Sequence, residues 1–380
     1  MRDFMAFGEY DLGIREYAGE IRELGSRWLD RLLSDSAVDQ SGGNVVCSPT
    51  GLWLALAAIS CGALGDTAEE LADLLGVAGP EAEPLVTAVA RDLAATEALA
   101  VATGVWSASP VRDEFRAGLP DITFGELGDP AAIDAWIARA TGGMIDRAPG
   151  VPSDDALLVL VNALALKARW AEPFDRDLTM DAPFRPRDGD SASVPMMFRE
   201  VPAADVWTVG AHGGPVHIVE LSCAGDHPAL IRFALGPRGM APAPVMSAAW
   251  APRSIGNPIT EEEVVLRLPR FGLRTSLPVH DHLPALGVTL ALARHAAEFG
   301  ALSPDPLYID RVDQESLLRV DEEGVEATAV TEVRMELMGF THHPSTLRLT
   351  FDRPFGCAVM DASGTVPLFA AYQATVPRLI

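Results

Sequence analysis

The chain has 380 residues, of which 48% are hydrophobic and 22% are charged, and its formal net charge is −24. This composition is sufficient for a large buried core and excludes an intrinsically disordered chain. Lys167 is the single lysine among the 29 basic residues and no basic stripe is present, so the charge argues against binding to nucleic acid or to an anionic membrane surface.

The first half of the chain carries mainly helical patterns. Apolar residues recur at three- and four-residue spacing between Leu12 and Leu32, which predicts an amphipathic opening helix. The following segments predict a short strand over 44–49, helices over 51–61, 66–76 and 130–139, and a strand over 99–106. The apolar run from Ala156 to Leu166 is broken only by Asn162, so we expect a central strand that is covered on both faces.

Strand patterns dominate from Val194 onward. They predict strands over 216–221, 229–235, 264–271, 347–351, 357–360 and 368–373. A helix is predicted near 279–286, and the stretch 236–258, rich in proline and glycine, is interpreted as loop. Helices early and strands later, without regular βαβ alternation, predict an α+β fold with large sheets rather than a doubly wound sheet.

The cysteines and the N-terminal residues indicate the compartment. Cys47, Cys61, Cys223 and Cys357 are scattered in apolar contexts, which predicts free, buried thiols in a reducing environment rather than a disulfide framework. The N-terminus lacks the basic and apolar regions of a secretion signal, and no apolar run reaches membrane-spanning length. We expect a cytoplasmic protein. Export by a route that needs no signal peptide is the open alternative.

The sequence contains none of the short motifs G-x-S-x-G, G-x-G-x-x-G, P-loop, C-x-x-C or H-E-x-x-H. We therefore expect a protein that is not an enzyme and that uses no cofactor. His342 and His343 are interpreted as solvated loop residues, since adjacent side chains point apart and no further ligand stands at metal-site spacing. The segment 187–191 lacks the later bidentate glutamate of a calcium loop and is interpreted as a solvated turn.

The segment that follows Gly324 has a long period-2 alternation. One face of this strand pattern collects Val325, Ala327, Ala329, Thr331, Val333, Met335 and Leu337. The other face collects Glu326, Thr328, Val330, Glu332, Arg334, Glu336 and Met338. An ordinary half-buried strand would be shorter, at about 5–6 residues. A segment that must enter a closed sheet needs small inward side chains at its point of entry, and the first half of the inward face is small.

The run from Asp321 to Thr331, an acidic pair, a glycine and an alanine- and threonine-rich stretch, resembles the hinge of the serpins. Further motifs that are similar to serpin motifs occur in order at 44–49, 133–145, 160–174, 194–197, 266–271, 286–288, 352–355, 368–369 and Pro377. Each motif is weak alone, but so many in the right order and spacing are highly specific. The chain is identified as a member of the serpin family, resembling the prokaryotic, intracellular type.

The resemblance implies one serpin domain over 1–380, with a large mixed central β-sheet, further sheets, about eight to nine helices and an exposed reactive-centre loop at about 324–346. It also implies a monomer that acts as a suicide substrate, because a protease acylates the loop and is trapped when the loop inserts into the main sheet. Family spacing places the scissile bond at Met338–Gly339, which implies a chymotrypsin-, elastase- or subtilisin-like serine protease with an apolar primary pocket. Cleavage after Leu337 or Phe340 implies the same class, and cleavage after Arg334 a trypsin-like one.

The resemblance also implies two sets of functional residues. The hinge and insertion residues are Glu323, Gly324, Val325, Glu326, Ala327, Thr328, Ala329, Val330 and Thr331. The residues implied to gate opening of the main sheet are Ser48, Asn162, Gln314 and Trp170, of which Trp170 is equally consistent with an ordinary core aromatic.

The chain departs from the family pattern at four places. At one of them Val330 replaces the usual, smaller alanine, but it lies on the outer face. Gln314 replaces a histidine in the strand before the hinge and Gly51 replaces a serine, so we expect the gate to have fewer partners. Val325 replaces the usual threonine or serine but is nearly isosteric with threonine.

Inhibition has two alternatives. A non-inhibitory serpin-fold binding or chaperone-like protein stays open, although the absence of proline and of inward charge over 324–331 favours inhibition. A hydrolase is disfavoured by the missing nucleophile and base.

Overall fold

The computed structural model describes residues 13–34, 38, 42–96, 98–148, 157–166, 168–324 and 345–380. Residues 325–344 lie outside the described residues, and they include the bond predicted to react and most of the predicted insertion residues.

The helices lie mainly in the first half of the chain, as the periodicity predicts. The α-helices are α1 (Ala18–Leu32), α2 (Pro49–Ser60), α3 (Gly65–Leu75), α4 (Glu83–Ala95), α5 (Asp113–Gly118), α6 (Pro130–Ala140), α7 (Pro242–Ala249) and α8 (Leu283–Leu286). Short 3₁₀ helices span Ile14–Tyr17, Pro80–Ala82, Arg176–Leu178, Ala203–Asp205, Arg253–Ile255 and Val279–Asp281. No helix in the described part of the chain is long and apolar enough to cross a membrane.

The strands of the first half are β1 (Val45–Cys47), β2 (Leu99–Ser107), β3 (Thr123–Glu126), β4 (Leu158–Leu166) and β5 (Met180–Phe184). Those of the middle are β6 (Ala192–Pro202), β7 (Val206–Ala211), β8 (Gly214–Ser222), β9 (Leu230–Leu235), β10 (Asn257–Pro258) and β11 (Glu263–Pro269). The last are β12 (Phe271–Pro278), β13 (Arg311–Val320), β14 (Thr346–Thr350), β15 (Phe355–Met360) and β16 (Pro367–Gln373).

These strands form three sheets. The main sheet has five strands in the order β12-β13-β4-β2-β3. A seven-stranded sheet has the order β1-β16-β15-β9-β8-β7-β10, and a four-stranded sheet has the order β14-β11-β6-β5. All nine residues of β4 are buried, which agrees with its nearly continuous apolar sequence. The mixed α+β architecture with a central sheet and further sheets confirms the predicted fold class.

Helix α2 packs between the main sheet and the seven-stranded sheet and is buried along its whole length. Its start is specified locally, because Ser48 Oγ accepts a hydrogen bond from Gly51 N at 2.9 Å and Pro49 occupies the first helical position. A helix that is apolar on all sides is expected in a core rather than at a surface.

Helix α6 lies on the opposite face of the main sheet. Its buried residues Ile133 and Ile137 pack against β2 and β4, and Trp136 makes an edge contact with Trp106 at 4.6 Å between ring centroids. Ile145, in the segment after α6, belongs to the same cluster. The outer face of the sheet is therefore covered over β2 and β4.

Two local predictions are corrected. The segment 236–258, interpreted as loop, contains α7, in which Val245 and Met246 are buried and Pro242 is at the helix start, where proline is tolerated. The strand predicted over 264–271 is two strands in different sheets, since β11 pairs with β6 and β14 while β12 pairs with β13. The break falls at Arg270.

Candidate functional site

The main sheet contains a parallel pair, β13 and β4, flanked by antiparallel neighbours. We call the interface between β13 and β4 the slot; its register runs from Arg311 opposite Val159 to Leu317 opposite Ala165. A strand placed in the slot and running antiparallel to both neighbours would replace one parallel ladder by two antiparallel ones. Antiparallel pairing is slightly more stable per residue, so this exchange favours the wider sheet.

A buried cluster of polar side chains, here called the gate cluster, crosses the slot midway along it. Gln314 lies directly opposite Asn162, and its Nε2 donates hydrogen bonds to Asn162 Oδ1 and to the Ser48 carbonyl, both at 3.0 Å. Gln314 Oε1 accepts from Ser48 N at 2.7 Å, and Asn162 Nδ2 donates to Thr103 Oγ1 at 2.8 Å. These side chains are at most 7% exposed, so separating the strands would leave their polar atoms without partners.

The two replacements predicted in the gate, Gln314 and Gly51, both lie at this cluster. The Gln314 amide both donates and accepts, and it additionally accepts from Ser316 Oγ at 3.2 Å. Gly51 has a steric reason, because a Cβ there would overlap Asn162 Oδ1 and lie 2.7 Å from Leu164 Cδ1. The observed position of Asn162 therefore requires glycine at position 51.

The chain reverses direction at the end of β13 in a hinge turn, Asp321–Gly324. Asp321 N donates to Gly324 O at 3.0 Å, and Gly324 forms an antiparallel bridge with Arg169, which follows β4. Trp170 contacts the turn twice, since its Nε1 donates to Asp321 O at 2.8 Å and its backbone N to Glu323 O at 3.1 Å. Gly324, the last described residue before the gap at 325–344, thus lies over the end of the slot.

Ion pairs and a hydrogen bond tie the hinge turn to the junction between β11 and β12 and to the segment before β5. Glu322, whose side chain is 3% exposed, pairs with Arg270 Nη2 at 2.5 Å and accepts from Thr179 Oγ1 at 2.5 Å. Burial alone would raise the pKa of Glu322, but the hydrogen bonds from Arg270 and Thr179 outweigh it and lower the pKa. Glu323 pairs with Arg176. Sequence reasoning missed Arg270, Thr179 and Arg176, because nothing local connects them with a carboxylate so distant in the chain.

Gly324 is required by the close approach of two backbones. Its φ is +129°, and a Cβ there would overlap the Ala168 carbonyl oxygen and lie 2.6 Å from Arg169 Cα. We expect Gly324→Ala to detach the hinge turn from the end of the slot and to lower the free energy of unfolding by about 1–3 kcal/mol. Gly210→Ala is the matched control, since a Cβ at Gly210 meets nothing within 4 Å. Equal denaturation midpoints for the two variants would contradict the close approach.

The structure therefore gathers the predicted site residues into two groups. Ser48, Asn162 and Gln314 form the gate cluster, and Trp170, Glu323 and Gly324 meet at the hinge turn. The remaining predicted residues, Val325–Thr331, Met338 and Gly339, lie outside the described residues.

The family model for serpin (serine protease inhibitor) matches residues 30–374. This chain belongs to the serpin family. Among curated serpins, Serpin-Z2B of Oryza sativa subsp. japonica is 26% identical over 393 residues, covering 93% of this chain and 96% of the relative. The leukocyte elastase inhibitor of Bos taurus is 27% identical, covering 76% of this chain and 82% of the relative.

Solved serpin structures share the fold. The thermophilic serpin tengpin in its native state superposes with a TM-score of 0.79 at 20% identity, covering 99% of this chain and 96% of that one. Serpin48 of the insect Tenebrio molitor superposes with a TM-score of 0.77 at 23% identity, covering 97% and 100%. Serpins are in general inhibitors of serine proteases and not enzymes, so the predicted class of protein is confirmed at that level.

Proposed function

We propose that this serpin inhibits a serine protease as a suicide substrate whose reactive bond is Met338–Gly339. The protease serine oxygen attacks the Met338 carbonyl carbon, the Met338–Gly339 bond breaks, and Gly339 leaves with a new amino terminus. Met338 is then held to the protease as an ester, and water would complete ordinary hydrolysis. Insertion of the loop into the slot before that step leaves the acyl-enzyme trapped.

The observation that carries this proposal is the hinge turn at the end of a slot between parallel strands. Because Asp321 N pairs with Gly324 O, continuing the antiparallel register places Val325 opposite Val320, Ala327 opposite Leu318 and Ala329 opposite Ser316. Those three residues of β13 are fully buried. On insertion in this register, the small inward face read from the sequence would face the buried side of the sheet.

The same register supports a specific role for Thr331, because it places this residue opposite Gln314. A strand entering there separates Gln314 from Asn162, which now share a hydrogen bond at 3.0 Å. The hydroxyl of Thr331 can both donate and accept, so it can replace that bond on either side. Opening the gate cluster would then not leave buried amides without partners.

The length of the segment supports displacement of the attached protease. From Gly324 to Met338 the chain runs 14 residues, which span roughly 46 Å when extended. Strand β13 has 10 residues and spans roughly 33 Å. Full insertion would therefore carry Met338 past the end of the slot that is opposite the hinge turn.

The residue before the reactive bond determines the protease class. Met338 is unbranched and apolar, so it fits the apolar primary pocket of chymotrypsin-, elastase- or subtilisin-like enzymes. Leu337 and Phe340 would serve the same class if cleavage shifts by a residue or two, whereas Arg334 would serve a trypsin-like enzyme. The name of the bovine relative, leukocyte elastase inhibitor, accords with this class.

We further propose that the inhibitor acts as a cytoplasmic monomer without a cofactor, and that neither nucleic acid nor a membrane is its partner. The four cysteines are free and buried, which suits a reducing compartment. Burial raises the pKa of the Cys47 and Cys223 thiols to about 12, so neither is a reactive thiolate at neutral pH.

The test is to mix the purified protein with chymotrypsin or subtilisin and to look for a covalent complex that survives SDS. We expect a band at the summed mass of the protease and the large fragment, with Gly339 as the new N-terminus of the released peptide. Protease blocked at its catalytic serine is the control and should give no such band. Met338→Arg should form the complex with trypsin. Cleaved serpin without any covalent band would make the protein a substrate and favour the non-inhibitory alternative.

A further inference from the structure

A three-residue charge arrangement crosses the outer face of the main sheet near the slot. Arg274 of β12 contacts Glu315 of β13, with Nε 2.5 Å from Oε1, and Asp146, with Nη2 3.2 Å from Oδ1. Glu315 is 1% exposed, and its second oxygen accepts from Ser276 Oγ. Asp146 also has Arg147 beside it, at 3.8 Å.

Arg274 and Asp146 belong to opposite sides of the slot. Arg274 lies opposite Leu317 in the antiparallel ladder of β12 and β13, so it moves with β13. Asp146 follows Ile145, which is fully buried in the cluster between α6 and strands β2 and β4. Hydrogen bonds between Thr141 Oγ1 and the backbone of Ile145 fix this segment to the end of α6.

Insertion would therefore act differently on the two ion pairs of Arg274. A new strand in the slot moves β12 and β13 away from β4 by one strand spacing, about 4.8 Å. Arg274 and Glu315 move together and keep their contact. The contact between Arg274 and Asp146, at 3.2 Å, exceeds ion-pair distance if the segment after α6 stays on β2 and β4.

We propose that the Arg274–Asp146 ion pair is a latch across the slot and that it sets the rate at which the sheet opens to admit a strand. This inference rests on the proposed insertion mechanism and assigns its regulation to two residues. The side chains of Arg274 and Asp146 are 41% and 61% exposed, so dissolved salt screens their attraction. Insertion into this serpin should therefore accelerate with ionic strength.

The test uses a synthetic peptide with the sequence of residues 325–338, added to the intact protein so that no protease is involved. Its uptake is followed by native electrophoresis and by the rise in melting temperature. At low salt we expect Asp146→Asn to take up the peptide about two- to five-fold faster than the wild type, the factor that an exposed ion pair can supply. Wild-type uptake should approach the Asp146→Asn rate as salt rises, and Asp146→Glu should restore slow uptake.

The matched control is Asp121→Asn. This variant removes the exposed ion pair between Asp121 and Arg91, whose charged atoms are 2.9 Å apart. That ion pair does not cross the slot. It should leave the uptake rate unchanged. Equal rates for the wild type and Asp146→Asn at all salt concentrations would overturn the latch, as would equal acceleration by Asp121→Asn. If the wild type takes up peptide and forms protease complexes in those cases, the proposed function survives. If the wild type neither takes up peptide nor forms complexes, the proposed function fails with the latch.

Discussion

Cleavage of the Met338–Gly339 bond is expected to raise the melting temperature of this serpin by at least about 10 °C. Most proteins lose stability when a loop is cut, because the cut adds conformational freedom. Here the cut would release residues 325–338 to enter the slot as a sixth strand of the main sheet. That strand would be antiparallel to both β13 and β4, which are now paired with each other in parallel.

The size of the rise follows from the extra ladder. Insertion removes one ladder and forms two, so the net gain is one ladder along the 10 residues of β13. At roughly 1 kcal/mol net per hydrogen bond, this gain is on the order of 10 kcal/mol. A chain of 380 residues has an unfolding entropy of about 0.8 kcal/mol/K. Dividing the gain in free energy by this entropy gives a rise in melting temperature slightly above about 10 °C.

Differential scanning calorimetry before and after a single nick measures this shift, and N-terminal sequencing identifies the cut bond. Gly324→Ala, nicked at the same bond, is the control for the path of insertion, because we expect its hinge turn to be detached from the end of the slot. An unchanged or lowered melting temperature in the nicked wild type would contradict loop insertion. Only membership of the family would then remain.

Ala329→Glu is expected to convert the inhibitor into a substrate, with at least a ten-fold fall in the fraction of encounters that end in a covalent complex. The register from the hinge turn places Ala329 opposite Ser316, which is fully buried. An unpaired carboxylate there costs several kcal/mol, and about 1.4 kcal/mol already changes a rate ten-fold. Slow insertion lets water hydrolyse the acyl-enzyme first, so the serpin is cut and the protease is released.

Thr328→Glu is the matched control, because it adds the same charge at the adjacent residue. The register would put Thr328 opposite the half-buried Leu317, on the outer face, where the guanidinium of Arg274 can pair with a carboxylate. We expect the yield of the complex to stay within a few-fold of wild type. The measurement is the molar ratio of serpin to protease needed for complete inhibition. Similar ratios for both variants would show that the alternation of side chains along residues 325–338 does not determine which of them become buried.

Much of this serpin's fold could be predicted from local sequence. The apolar run around Asn162 is the fully buried β4, and the three- and four-residue spacing before Leu32 is α1. Ser48 followed by Pro49 marks the start of α2. These predictions hold because each depends on side chains a few residues apart, whose periodicity reports which face is buried.

The hinge is a partly predictable case. The order Glu323, Gly324 and then small alternating residues suggested a strand stored outside its sheet, and the family resemblance supplied the mechanism. That Gly324 lies against Ala168 and Arg169, so that no side chain fits, depends on an approach between segments that are distant in sequence. Residue types alone indicate that the backbone at position 324 is flexible, whereas the packing leaves no room for a side chain at this position.

Local sequence by itself determined which segments are apolar enough to form the core, and that a period-2 segment precedes the C-terminal strands. The family resemblance placed Gln314 in the strand before the hinge, but only the tertiary structure decided that Asp313, Gln314 and Glu315, in succession along β13, are all buried. The physical reason is that a polar side chain can be buried only where a hydrogen-bond or ion-pair partner is present, and those partners come from other elements. Asn162 meets Gln314 and Arg274 meets Glu315, and no local pattern in the chain records either contact.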